Sequence, residues 1–426
     1  MSVDLNRPTV GKYTFVAGDR DMDSRMLIAS CLVSFCAGST FAQAPADQLL
    51  YPPPSAIETV PLPMASLGAP VSTATGNMWT SADYMFSWFK GTQLGSLVTT
   101  SPTGTPANTA GVLGRPGTQT LFGGRHEDNV RSGFRLGAGL WLDQGQTFGV
   151  EASFMMMESQ AALFSTMSNS SLILARPFTD SITGLPQAVL VAFPGASRGS
   201  IDVRAASGNL YSGNLDLVEK FYDGGWLRFN ALAGYRYYSY HENLGIRQSI
   251  SPTGPNFIPG TNLASVDNFS TRNEFHGFDM GIRSEFVMEN LSMELLGRLA
   301  LGDLHTRVAI GGFQTVSVPG TTPITRAGGV YALGTNSAIF NKYRLSTMPE
   351  FGATLKWQVS QSLQLRFGYS VLNLDGVARA ANQVNTTINP ANFPPATSTI
   401  GGQPSFFMQR SQLWIQNMTI GLVFTF

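Results

Sequence analysis

The stretch that decides the fold reads FDMGIRSEFVMENLSMELLGRLAL, from residue 278 to residue 301. Apolar side chains occupy alternate positions on both sides of a short turn at 287–290, and most of the residues between them are charged or small. A period of two residues places the two sets on opposite faces of a β-strand. The segment therefore predicts an antiparallel hairpin that is apolar on one face and charged on the other.

The same alternation recurs from residue 78 to the end of the chain. Each stretch has about ten residues, which is the length that a β-strand needs to cross a membrane. We count ten such stretches, at residues 81–88, 134–141, 148–154, 211–217, 227–236, 278–286, 291–301, 351–357, 363–370 and 414–426.

The connections between these stretches alternate strictly between short and long. Short turns are expected at 143–146, 219–225, 287–290 and 360–362. The connections after the odd-numbered stretches are loops of roughly thirty to fifty residues, rich in Gly, Pro, Ser, Thr and Asn. Outer-membrane barrels combine an even number of strands with short periplasmic turns and long extracellular loops. We therefore predict an all-β fold, a transmembrane antiparallel up-and-down β-barrel of about ten strands.

Composition excludes several other classes of protein. Charged residues make up 13% of the 426 residues, against about 25% in an ordinary soluble domain. No run of about 20 apolar residues occurs after the first part of the chain, so we expect no membrane-spanning helix. The 27 basic and 27 acidic residues give zero formal charge, which leaves no basic surface for nucleic acid.

A soluble β-sandwich is the alternative fold, because its strands also alternate. Two features favour the barrel. The charged faces recur in almost every strand, which suits a lumen. The apolar faces end in aromatic residues, as strands do at a membrane interface: Trp88, Tyr235, Tyr369, Trp414 and Phe426.

The N-terminal region has the features of an exported protein. An apolar stretch at 26–41 follows Arg25 and ends in small residues, which predicts a signal peptide over residues 1–42 with cleavage after Ala42. The residues before Met22 are polar, so we expect translation to start at Met22 or at the next methionine.

The mature chain is then predicted to begin with a tether. Residues 43–77 are rich in proline and should form an extended periplasmic linker to the barrel domain at 78–426. Both cysteines, Cys31 and Cys36, lie within the signal peptide. Cys31 also ends a short sequence like a lipoprotein box, which is the less favoured alternative because little apolar core precedes it.

The charged faces of the strands would line the lumen. Eight strands leave an interior that side chains just fill, and sixteen leave a water channel. Ten strands therefore predict a plugged or very narrow conduit. The predicted lumen-lining charges balance, seven acidic and seven basic: Asp83, Arg135, Glu151, Asp216, Arg228, Arg236, Asp279, Arg283, Glu285, Glu294, Arg298, Glu350, Lys356 and Arg366.

The expected turns also predict which of these charges face each other across neighbouring strands. The register of the hairpin at 278–301 follows if Phe286 pairs with Leu291. The predicted pairs are Arg283 with Glu294, Asp279 with Arg298, Asp216 with Arg228 and, as a like-charge contact, Lys356 with Arg366. That last contact needs an acid from a neighbouring strand.

Four short motifs were considered for chemistry. Residues 195–199, GASRG, fit the nucleophile-elbow pattern, but they lie in a loop rich in Pro and Gly. His126-Glu127-Asp128 and His241-Glu242 could supply metal ligands or a hydrolase site at the rim, yet no second histidine lies at ligand spacing. Residues 137–139, GAG, lie within a strand, where small inward residues make room for Arg or Trp. We assign no catalytic, cofactor-binding or metal-binding residue and predict no enzymatic activity.

Short motifs are spread over the whole chain: LVTTSP at 97–102, GVLG at 111–114, PGT at 116–118, LFGG at 121–124, SGFR at 132–135, ARPF at 175–178, GYRY at 234–237 and WIQ at 414–416, with Gly421 and Phe426. Together these motifs resemble those of a known family, the putative beta-barrel porin 7 family of outer-membrane proteins from planctomycete-type bacteria. Val377 and Arg379 also match one of its loop segments, although the flanking sequence differs. The resemblance implies an outer-membrane β-barrel, and the family name implies a porin.

Two functions are therefore expected for a protein of the bacterial outer membrane. The first is a porin or narrow pore for small solutes. The second is a structural or adhesion-type surface barrel with a plugged lumen, whose extracellular loops bind partners. A barrel-embedded enzyme is the least favoured. The expected partners are outer-membrane lipid and the barrel-assembly machinery, which would recognise the terminal Phe426; no cofactor and no nucleic acid are expected.

Overall fold

A computed structural model describes residues 76–126, 130–396 and 401–426. The predicted signal peptide and all but the last two residues of the predicted linker lie outside this part. Within it, no helix is long and apolar enough to cross a membrane. Two short 3-10 helices, Ala380–Gln383 and Pro390–Asn392, accompany the strands. The strands are β1 Met78–Phe89, β2 Thr92–Thr100, β3 Gln119–His126, β4 Arg131–Trp141, β5 Phe148–Met157, β6 Gln160–Ser168, β7 Leu174–Asp180, β8 Pro186–Ala192, β9 Ser197–Ser207, β10 Leu210–Asp223, β11 Leu227–Pro252, β12 Asn262–Met288, β13 Leu291–Ser317, β14 Ile324–Ala327, β15 Ala338–Gln358, β16 Leu363–Val377, β17 Thr387–Ile388 and β18 Ser411–Thr425.

Ten of these strands close into a ring. Hydrogen bonds join them in the order β1, β4, β5, β10, β11, β12, β13, β15, β16 and β18, and β18 pairs with β1. All of these pairings are antiparallel. Each of the ten predicted stretches lies in one ring strand, so the predicted ten-stranded antiparallel barrel is confirmed.

The two faces of the ring strands differ as the alternation requires. On β13, Leu299 and Leu301 are exposed apolar side chains, whereas Arg298 beside them is buried. On β12, Phe278 and Met280 are likewise exposed. Because the ring is closed, its exposed side chains point outward and its buried ones inward. The outer surface is therefore apolar, as a surface in contact with lipid must be.

The long connections fold into a second region, which we call the loop domain. Strands β11, β12 and β13 have 26, 27 and 27 residues, more than twice the length that crosses a membrane. Their outer halves, extended by β9 and β6, form a wall. A second sheet contains β3, β2, β7 and β17, with β8 paired to β7. Apolar side chains such as Leu97, Val191, Phe269, Val308 and Tyr331 form one buried cluster in this region.

The connections after the odd-numbered strands are long, as predicted, but they contain strands that the sequence pattern did not reveal. The cause is visible in β7, where six of the seven residues are buried. A strand that is covered on both faces has no alternation of apolar and polar residues, so a period of two cannot reveal it. Gly, Pro and Ser between such short strands then give the composition of a loop.

Two of the predicted registers are also wrong. The β12–β13 hairpin turns on only two residues, Glu289 and Asn290, with Glu289 at a φ of 50°. Two-residue hairpin turns need such a left-handed residue. Phe286 consequently pairs with Met293 instead of Leu291, and the hairpin is shifted by two residues relative to the prediction.

The β10–β11 hairpin differs for another reason. β10 continues to Asp223, with a bulge between Lys220 and Tyr222, so the predicted turn at 219–225 begins too early. Asp216 consequently lies opposite Gly234 and not opposite Arg228. The third predicted register is correct, since Lys356 lies opposite Arg366.

Candidate functional site: the interior of the barrel

The structure brings the fourteen predicted lumen charges together, and we call them the ion layer. Several of their contacts join strands that are not neighbours in the ring. Arg135 of β4 lies 3.8 Å from Glu350 of β15, and Arg298 of β13 pairs with Asp216 of β10. A contact between such strands has to cross the interior of the barrel. These side chains therefore point inward and meet across it.

The shifted hairpin still allows the ion pairs that the sequence predicted for it. Arg283 lies diagonally from Glu294, with 3.7 Å between Nε and Oε2. Arg298 Nη1 lies 3.2 Å from an Asp279 carboxylate oxygen, although the two residues are not opposite each other. Long side chains reach the diagonal position on a neighbouring strand.

Like charges that face each other are paired with charges of opposite sign. Glu285 lies directly opposite Glu294. Lys356 Nζ lies 3.0 Å from the first carboxylate and 2.7 Å from the second. Arg366, which faces Lys356, forms hydrogen bonds with Asp83 of β1. The expected acid from a neighbouring strand is thus Glu294 of β13, while Glu285 and Asp83 come from strands farther along the ring.

The centre of the ion layer is closed to water. The side chains of Asp216 and Asp279 are 0% and 1% exposed, and those of Glu350, Arg236 and Arg298 are 4%, 5% and 6% exposed. Arg236 forms a hydrogen-bonded ion pair with Glu350. These five side chains are shielded from solvent at the centre of the layer, whereas Arg135 and Arg366 around them are 25% and 21% exposed. Arg228, nearer the short turns, is 29% exposed.

A second set of inward side chains lies one step along the strands toward the loop domain, and we call it the apolar layer. Met85 follows Asp83 by two residues on β1, and Tyr238 follows Arg236 by two residues on β11. Among the ring strands, only β4 contributes no residue to it. The layer contains Met85, Phe89, Met155, Met157, Leu210, Tyr238, Tyr240, Phe275, Ala300, Leu304, Met348, Leu372, Leu374, Val377, Leu413 and Ile415, all buried.

A segment of the connection between β16 and β18 crosses the mouth of the barrel above the apolar layer. Arg379 donates a 2.7 Å hydrogen bond from Nε to Glu242 of β11 and a 2.8 Å hydrogen bond from Nη1 to the carbonyl of Lys90. Ala378 exchanges two hydrogen bonds with the side chain of Asn273 on β12. These contacts tie the segment to both sides of the mouth. Glu242 is thus a structural anchor in this structure.

Small inward residues make room for the large ones. A side-chain carbon added at Gly421 would lie 2.0 Å from a carboxylate oxygen of Asp83. One added at Gly139 would lie 2.2 Å from the indole of Trp79, which itself contacts the ring of Trp141 at 5.5 Å. The expectation that the small residues at 137–139 make room for a larger side chain is confirmed at Gly139.

The other motifs considered for chemistry have structural contacts or no described geometry. Ser197 begins β9, is buried, and donates a 3.4 Å hydrogen bond to the carbonyl of Val191, with a strand after it. His241 points outward and Glu242 inward, so the two do not share a site; partial burial and the neighbouring Arg272 lower the pKa of His241. The described residues contain no group of three potential metal ligands. Residues 127–128 lie outside the described part.

The sequence reasoning missed a buried ion pair in the loop domain. Arg176 Nη1 lies 2.8 Å from Asp267, and both side chains are fully buried. The guanidinium also lies 4.3 Å from the ring centre of Tyr331, whose pKa burial raises to about 12. One oxygen of Asp267 accepts three backbone hydrogen bonds, from residues 330, 331 and 332. The available signal was the ARPF motif at 175–178, an arginine within an apolar run.

Comparison with known proteins identifies a family to which this chain is similar. A family model described as "Putative beta barrel porin-7" matches residues 79–426. Among solved structures, the outer membrane protease OmpT from Escherichia coli has a TM-score of 0.40 at 8% identity over 84% of this chain and 99% of that one. A Pseudomonas aeruginosa FadL homologue has a TM-score of 0.22 at 8% identity, over 82% and 90% of the two chains. At these scores the likeness carries no argument about function. None of the curated proteins compared matches the chain.

Proposed function

This chain belongs to the Putative beta barrel porin-7 family, and we propose that it is a structural barrel of the outer membrane, which seals its own lumen and holds a folded loop domain at the cell surface. The observation that carries the proposal is the pair of layers in the lumen. Charged side chains with almost no exposure and a continuous set of buried apolar side chains fill the space through which a solute would pass.

The segment across the mouth supports the same proposal. A diffusion pore needs a polar, water-filled path. Here the carboxylate of Glu242 is bound by Arg379 and by the amide of Ala380, so it has no free oxygen to offer a permeating solute. Moving this segment would break contacts on both β11 and β12. An open pore would therefore require a rearrangement of the ion layer, of the apolar layer and of this segment.

The loop domain gives the barrel its second role. We propose that it lies outside the cell, because long connections of outer-membrane barrels are extracellular and short turns periplasmic. Its buried core and the Arg176–Asp267 pair give it a fixed shape, as a surface that binds partners needs. The predicted signal peptide would deliver the chain. Phe426, exposed at the end of β18 and bonded through its amide to Met78, would be the residue that barrel-assembly machinery recognises.

Single-channel recording in a planar bilayer tests the proposal. The refolded full chain should insert without discrete conductance steps at moderate voltage, because the proposed seal leaves ions no aqueous path. Reproducible steps from the wild-type protein would favour the porin or narrow-pore alternative and overturn the sealed barrel. The permeant would then be a small solute.

Labelling of cells tests the orientation separately. Both native cysteines lie in the predicted signal peptide, so an introduced cysteine would be the only one in the mature chain. Thr103→Cys, in an exposed turn of the loop domain, should react with a membrane-impermeant maleimide on intact cells, whereas Gln361→Cys, in a short turn, should react only after lysis. The reverse pattern would overturn the orientation.

A further inference from the structure

A row of polar side chains crosses the outer face of the wall just above its apolar band. Arg272 of β12 and Arg307 of β13 are direct partners in the ladder, and both are exposed. His241 of β11 lies opposite Arg272, and Asn341 of β15 lies opposite Arg307. All four side chains point outward and can donate hydrogen bonds. Like charges directly opposite each other are destabilising, so an anion bound between the two arginines would offset their repulsion.

The contacts of the two arginines are unequal. Arg272 Nη2 lies 2.7 Å from Glu274 and is therefore partly neutralised. Arg307 has no ion pair or hydrogen bond from its side chain to any described residue. The row thus keeps a net positive charge and a free guanidinium fork. An arginine fork matches the geometry of a phosphate group better than any other side chain does.

The height of the row above the membrane can be worked out from the strands. On β13 the outward apolar positions extend from Leu291 to Leu301, and Asp303 is the first outward charge beyond them. Ten residues of a strand that is tilted by about 40° span about 25 Å, the height of the apolar band of such barrels. Arg307 then stands about 10 Å beyond Asp303, within reach of a headgroup made of more than one sugar.

Aromatic side chains lie between the band and the row. Tyr343 of β15 is mostly exposed and is stacked on His305 of β13, with ring centres 4.4 Å apart. Tyr237 of β11 contacts His276 of β12 at 5.0 Å. The exposed ring of Tyr343 offers a face on which a sugar can stack, and aromatic residues with a polar end are favoured at membrane interfaces.

From this arrangement we infer that the outward face of β11, β12, β13 and β15 binds a phosphate-bearing glycolipid of the outer leaflet, with Arg272 and Arg307 on the phosphate and Tyr343 against the sugar. The inference rests on the proposed membrane orientation but not on the sealed lumen. A conductance result therefore does not bear on this inference, which has a separate test.

The test measures binding of one defined lipid to the refolded full chain in detergent by native mass spectrometry. The probe is lipid A with two phosphates. The Arg272→Ala/Arg307→Ala protein should bind it about tenfold or more weakly than wild type, since two charge-assisted contacts are lost. Arg326→Ala is the matched control, an exposed arginine on β14 farther from the membrane, and should change the affinity by less than about twofold. Equal binding by the double variant and wild type would overturn the inference.

Other lipids and a third variant separate the sources of the phosphate. Lipid A without its phosphates should bind wild type as weakly as lipid A binds the double variant. Phosphatidylglycerol that binds as tightly as lipid A would overturn the glycolipid, and inorganic phosphate that displaces lipid A at equimolar concentration would overturn the lipid. Glu274→Gln frees Arg272 from its carboxylate partner and should tighten lipid A binding; weaker binding would contradict the inference. Heat-dependent mobility on a gel checks that each variant has folded.

Discussion

The ion layer and the apolar layer are neighbours inside one barrel, and they fill it by different means. In the ion layer every large side chain needs a partner of opposite charge, and contacts such as Arg298 with Asp216 reach across the interior. In the apolar layer side chains such as Met85 and Tyr238 need only close packing. The first arrangement depends on pairs and the second on volume, so the two layers should fail differently when single residues are changed.

The largest effect is expected from breaking the ion layer at its centre. Glu350→Gln removes the carboxylate that pairs with Arg236 and lies 3.8 Å from Arg135. A buried charge that loses its partner destabilises a protein by about 3–5 kcal/mol. Urea unfolding of the refolded protein, followed by tryptophan fluorescence, measures the change.

The matched control is a surface pair of the same kind. Asp375→Asn breaks the ion pair with Arg344, which is well exposed on both sides. Exposed pairs contribute about 0–1 kcal/mol, so this change should be small. An equally small effect of Glu350→Gln would mean that the ion layer is hydrated after all.

The apolar layer is tested by removing volume. Met157→Ala shortens a fully buried side chain of β5 and should cost about 2–5 kcal/mol of unfolding free energy, through lost burial and the cavity that remains. Met280→Ala makes the same change on the outer face of β12, where detergent or lipid fills the space. The outer change should cost clearly less unfolding free energy. Similar losses at the two positions would show that the interior is packed no more tightly than the outer surface.

A smaller effect is expected where a glycine makes room for the ion layer. Gly421→Ala would place a carbon 2.0 Å from the carboxylate of Asp83 and so disturb its hydrogen bonds to Arg366. Overpacking of this kind costs about 1–3 kcal/mol. Gly311→Ala is the control, since nothing lies within 4 Å of the added carbon. A loss at position 311 equal to that at 421 would point to backbone effects alone.

The smallest effect concerns a charge outside both layers. Asp143 accepts hydrogen bonds from the amides of Phe148 and Thr147 in a short turn, and these bonds lower the pKa of its carboxyl. Its stabilisation is therefore present above the ordinary pKa and is lost as the pH falls through the lowered one. The protection of the two amides against hydrogen exchange, taken relative to the intrinsic rate at each pH, should fall below that pH in wild type. In Asp143→Asn it should not respond, and an unchanged pH dependence there would contradict this reading.

The contrast between the layers also explains what the sequence could predict. The charges of the ion layer could be listed from the sequence because their strands alternate between outward apolar and inward charged residues, as in 278–286. The apolar layer was missed because residues on both faces of the same strands become apolar: Met85 lies between Tyr84 and Phe86. Where a strand is buried inside and faces lipid outside, a period of two disappears. The same argument accounts for the strands of the loop domain.

The contacts across the barrel could not be predicted from the hairpins alone. Turn geometry fixes which residues are opposite each other, and the two-residue turn at Glu289 moved one register by two positions. The charges nevertheless found partners, because long arginine and glutamate side chains reach diagonally and across the lumen. Charge balance was therefore the more reliable guide, while individual pairs depended on details of turns and bulges.

Water permeability is the most direct measure of whether the two layers close the barrel. Vesicles that contain the refolded protein are exposed to an osmotic gradient in a stopped-flow instrument, and shrinkage is followed by light scattering. A lumen with a dry ion centre and an apolar layer above it should give the same rate as protein-free vesicles of the same lipid. A rate that rises in proportion to the amount of inserted wild-type protein would show a continuous water path and contradict the sealed barrel.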